Sequence, residues 1–125
     1  MAEAHAKEDA ARQKAFKERM AAQSAARAAF WNGVDRDVTP STAEFDPQLA
    51  VGKTVVWSGV VVRRLEGGAY LVSTGGHYWC VSTTNRFADV GIVTIKGRVE
   101  RVAEVVDGFL TTRVPLVTGD VVDVP

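Results

Sequence analysis

From Thr54 to Arg64 the chain reads TVVWSGVVVRR, and six of these eleven residues are β-branched. Branching at Cβ restricts a side chain in a helix and suits it to a pleated sheet, so this run is a long strand. Gly59 stands at its middle. Glycine weakens a flat strand, so a glycine there marks a bend or the close approach of another backbone. A second run, IVTIKGRVERV at 92–102, repeats the arrangement around Gly97. Two long strands that each bend at their centre predict a sheet that curls and closes. Shorter apolar runs complete it: AYLVS at 69–73, HYWCVS at 77–82 and FLTTRVPLV at 109–117. Glu66-Gly67-Gly68, Gly75-Gly76 and Asp107-Gly108 read as turns. TTNRFADVG, at 83–91, reads as a loop with some helical character.

The first 50 residues have a different character. Residues 1–31 are rich in alanine and charge and contain neither Gly nor Pro, which predicts one long helix. Its acids come early and its bases late, in the order that suits the helix dipole. Glu8 and Arg12 form a favourable i,i+4 pair, and Asn32-Gly33 is the natural stop. Large apolar residues are few: Phe16, Met20, Phe30 and Trp31. The half of the helix from Phe16 to Trp31 is therefore the part expected to dock on something. Residues 32–50, punctuated by Pro40 and Pro47, read as a connection with a short helical turn near Thr42-Ala43-Glu44.

The segments VGKTVVWSGVVV, YLVS, YWCVS and GIVTIKGRVERV together resemble the tRNA-anticodon-type OB-fold family of small bacterial proteins. The matching positions are Gly52, Lys53, Val55, Gly59, Val61, Cys80, Gly91, Val93, Ile95, Lys96, Gly97 and Val99. The resemblance covers residues 51–125 and leaves the first 50 unexplained. It implies a five-stranded Greek-key barrel behind a helix at 1–31 and a linker at 32–50. It carries no catalytic residue.

Strand parity assigns the faces. With Gly59 inward, Val55, Trp57 and Val61 face in, and Val56, Ser58, Val60 and Val62 face out. That outer face is apolar enough to be covered by the helix or another subunit. In the fourth predicted strand Val93, Ile95 and Val99 face in. Matching Cys80 to the family's inward cysteine places Tyr78 and Ser82 inside, and His77, Trp79 and Val81 outside. OB barrels bind across their second and third strands. An outward Trp79 would stand there beside Tyr70 or Val72, with His77 at the strand's start. Arg63, Arg64, Arg86, Lys96 and Arg98 would supply cations.

The residues exclude several chemistries. His77 has no readable acid or nucleophile partner and reads as an exposed strand-start histidine. Cys80 reads as a small buried hydrophobe. A lone cysteine gives no disulfide framework and no zinc cluster, and no cofactor motif occurs. Bases and acids number 15 each, without the basic excess of a duplex-DNA binder. The N-terminus has no secretory or mitochondrial signature and no run is long enough to span a bilayer, which predicts a cytoplasmic protein without membrane insertion. Two binding readings remain. Protein contact or self-association, through Phe16, Met20, Phe30, Trp31, Val56, Val60 and Val62, stands slightly ahead. Single-stranded nucleic acid at the Trp79 region is the alternative, and a small enzyme is a distant third.

Overall fold

The computed structural model describes residues 2–83, 91–107 and 109–125, with side chains from residue 7 onward except that of residue 107. The predicted loop at 83–91 lies, but for its two ends, outside the described residues. Two compact units divide the chain, residues 1–32 with 124–125, and residues 33–123.

The first unit is built on one helix, α1 (Ala2–Trp31). It ends as the sequence suggests, with Asn32 N–H bonding to Ala29 O and Gly33 in the left-handed region at φ 77°. Phe30 and Trp31 meet edge to face at 5.2 Å.

The second unit is mainly β. Its strands are β1 (Thr54–Arg64), β2 (Ala69–Thr74), β3 (His77–Ser82), β4 (Ile92–Asp107) and β5 (Leu110–Val121). They close into a ring in the order β1-β2-β3-β5-β4. All contacts are antiparallel except β3 with β5. The ring can close tightly because glycines stand where backbones nearly touch. Gly97 and Gly119 are register partners across β4 and β5. A Cβ on Gly97 would strike Thr118 O, and one on Gly119 would strike Lys96 O. At Gly59 a Cβ would lie 2.6 Å from Ser73 O. The bend expected at Gly59 and Gly97 is thus a close approach between strands, and Gly119 is its unforeseen third member.

The segment before β1 is more than a connection. It holds two short helices, α2 (Pro40–Phe45) and α3 (Pro47–Ala50). Thr39 caps α2 through a reciprocal box with Thr42. Ala43 and Ala50 are fully buried in the ring's core, Val38 packs against it, and Trp57 Nε1 donates to Val38 O at 2.9 Å.

The core inside the ring corrects the faces expected for β2 and β3. Val55, Trp57, Val61, Val93, Ile95 and Val99 lie in it as expected. So do Trp79, Val81, Tyr70 and Val72, whereas Tyr78 is 40% exposed. Trp79 is 0% exposed, meets Trp57 edge to face at 5.4 Å, and donates from Nε1 to Thr74 Oγ1 at 3.0 Å. The register explains the reversal. Inward Val61 pairs with Val72, and Val72 pairs with Trp79, so parity carries Trp79 inside. Cys80 is buried as expected, but on the outer face. It joins Leu71, Val105 and Val114 in a second cluster.

That cluster exists because β4 and β5 outrun the ring. β4 pairs with β1 only through Ile92–Arg98, while it continues beside β5 as far as Asp107. A bulge between Val99 and Arg101 shifts the register where this two-stranded ribbon leaves the ring. The ribbon then lies over the outer face of β2 and β3, burying Leu71 and Cys80.

Candidate functional site

One register row crosses the outside of all five strands. Arg63 stands opposite Leu71, Leu71 opposite Cys80, Cys80 opposite Leu116, and Leu116 opposite Arg101. An apolar strip therefore runs between two arginines, roofed in part by Val105 and Val114 of the ribbon.

Beside this roof opens a cleft of about 590 Å³, within the range of ligand sites. One wall is the end of β1 and the following turn, with Arg63, Arg64, Leu65 and Glu66. The other is β4 of the ribbon, with Arg101, Ala103, Glu104 and Val106. Cys80, Ser82 and Leu116 contribute to the floor. On the opposite side of the ribbon, a smaller groove of about 220 Å³ is lined by Val62, Tyr78, Thr112 and neighbours.

Burial pushes the Cys80 thiol up to about 11, with the Arg101 and Arg63 charges opposing the rise. The thiol thus stays protonated at neutral pH and is a poor nucleophile. Arg63 Nη2 donates to Val106 O at 3.0 Å, joining the two walls.

The expected site residues divide sharply. Arg63 and Arg64 line the cleft. Trp79 and Tyr70 lie in the core and present no stacking surface. His77, expected to stand alone, is held by Glu44, its Nδ1 2.5 Å from Oε2, so that it ties α2 to β3 away from the cleft. Lys96 and Arg98 lie on the stretch of β4 paired with β1, opposite Val56 and Thr54, and do not line the cleft. Arg86 lies outside the described residues. Phe16, Met20, Val60 and Val62 are exposed, Phe30, Trp31 and Val56 half-buried.

Arg101 and Leu116 were not anticipated as site residues. The signal was the valine-rich VERVAEVV at 99–106, whose β-branched residues carry a strand on beyond Val102, opposite LTTRVPL.

Among the described residues no three His, Cys, Asp or Glu side chains gather to hold a metal, and no helix is long and apolar enough to cross a membrane. No family model, curated protein or solved structure matches this chain.

Proposed function

We propose that the chain is a non-enzymatic binding module of OB-fold type whose role is protein contact or assembly. The strand order, the parallel β3–β5 contact and a long β1 shared between β2 and β4 support the OB reading. The observation that carries protein contact is apolar surface left open on the ring's outside. Ile92 pairs with Val60, Val60 with Ser73, and Ser73 with Tyr78. Ile92 is 79% exposed, and Val60, Val62 and Tyr78 are each at least 40% exposed. Val106, Phe109 and Leu110 add an exposed apolar tip to the ribbon. Grouped apolar surface of this kind marks interaction sites. Residues 51–125 carry eight bases and seven acids, which favours a partner that is not a polyanion.

Single-stranded nucleic acid is the second reading, favoured by Arg63, Arg64 and Arg101 at one cleft. Glu66 and Glu104 in the same cleft offset them, and burial of Trp79 removes the stacking platform. A labelled single-stranded oligonucleotide, titrated with the full chain at low salt, is expected to show flat anisotropy. A salt-sensitive rise overturns the protein-contact reading in favour of nucleic acid. Light scattering of the full chain across concentrations reports self-association.

A further inference from the structure

We propose that the ribbon part of β4 is an open strand-pairing edge that accepts an extended peptide segment of a partner protein, one alternating apolar with acidic side chains. The inference rests on the protein-contact reading and assigns it a site and a partner chemistry. Beyond Val99, whose N–H and C=O bond to Lys53 and Gly52, β4 leaves β1 and keeps only β5 as a neighbour. A strand paired on one side presents a row of unused N–H and C=O groups on the other.

Two observations and the alternation of a strand's edge groups identify which residues present them. Val106 O is directed at the cleft, because it accepts from Arg63 Nη2. Strand groups alternate edges with a period of two, so Val102 and Glu104 turn the same way. Pro115, register partner of Val102, has no N–H to give, which agrees with a Val102 that bonds away from β5. From Val102 to Val106 this edge spans about 13 Å at the usual rise per residue. It borders the cleft, with open space between it and the opposite wall.

The chemistry of the occupant follows from the surroundings. Arg63 donates to a carbonyl that a partner strand's N–H would otherwise take, so its guanidinium stands in for the missing strand. An incoming peptide that takes this acceptor frees Arg63, and the three arginines Arg63, Arg64 and Arg101 outnumber Glu66 and Glu104 around the cleft, which favours acidic side chains. Alternate side chains of an extended peptide turn into the cleft, where half-buried Leu65 of one wall and Leu116 of the floor favour apolar ones. Main-chain bonds supply affinity and the alternation supplies selectivity, as in other strand additions.

The test pans a displayed library of random peptides against the full chain and measures an enriched peptide by anisotropy. Enriched sequences are expected to alternate apolar and acidic residues. Glu104→Pro removes an edge N–H and is expected to weaken binding about tenfold or more, while Glu104→Ala, which keeps the backbone, changes it far less. N-methylation of the peptide at alternate positions gives the same readout without touching the protein, and so holds if Glu104→Pro fails to fold. Binding indifferent to both changes overturns the edge while leaving protein contact at another surface. A library without binders overturns the edge. Self-association of the full chain that Glu104→Pro abolishes assigns the edge to a second copy and overturns the partner peptide.

Discussion

Replacing Trp79 by alanine tests the arrangement of the ring most directly, because Tyr78 beside it serves as an internal control. Trp79 is fully buried, so its removal returns about 150–250 Å² of apolar burial. At about 25 cal/mol/Å² this is roughly 4–6 kcal/mol, close to the 3–5 kcal/mol typical of aromatic-to-alanine changes in cores. The edge-to-face contact with Trp57 and the bond to Thr74 Oγ1 are lost as well. Thr74 Oγ1 itself donates to Ser58 O at 2.6 Å, so the change also loosens a chain of bonds joining β3, β2 and β1. A loss of about 4 kcal/mol is a large part of the stability of any small domain. Tyr78→Ala removes a ring that is 40% exposed and is expected to cost about 1 kcal/mol. Urea unfolding followed by far-UV circular dichroism measures both. If Trp79→Ala proves too unstable to purify, Trp79→Phe keeps most of the burial and is expected to cost about 1–2 kcal/mol. Equal losses for Tyr78→Ala and Trp79→Ala, or a larger one for Tyr78→Ala, would refute the assigned faces.

Gly97→Ala puts a methyl group into Thr118 O and the Cα of Gly119, so it is expected to cost about 1–3 kcal/mol or more. Thermal melting that leaves this variant unchanged would contradict the close approach of β4 and β5. Cys80 is expected to resist a thiol reagent until the chain unfolds, since it is 1% exposed. Its pKa rises from 9.0 to about 11 on folding. Between those values the unfolded chain loses the proton that the folded chain keeps, so stability falls as pH rises, by about 1.4 kcal/mol per unit. Cys80→Ala should flatten that fall in urea midpoints, and an identical slope in both proteins would sink the assignment.

Much of the architecture was legible. The helix at 1–31, the β-rich remainder and the close backbone approach at Gly59 and Gly97 follow from propensity and sterics. Faces on β1 were legible too, because an inward Gly59 fixes Val55, Trp57 and Val61 on the same side by parity. On β2 and β3 parity gave no such guidance. AYLVS and HYWCVS are apolar on both sides; the ring's interior covers one side, and the ribbon covers the other at Leu71 and Cys80. A buried Cys80 therefore did not imply an inward Cys80, and the register reversed Trp79 and Tyr78 together. Arg63 and Arg64 were readable as the end of β1 at a turn. The position of Arg101 at the cleft was not readable, since it depends on a bulge and on a ribbon that extends past the predicted end of β4.

The capped turn at Thr39 and the bond from Trp57 to Val38 bear on where the chain can be divided. A cut at Val51 falls where the valine-rich sequence begins, yet it strips Ala43, Ala50 and Val38 from the interior and leaves an indole N–H without its acceptor. The smallest piece able to keep its interior closed starts near Gly33, eighteen residues ahead of the point that composition alone suggests.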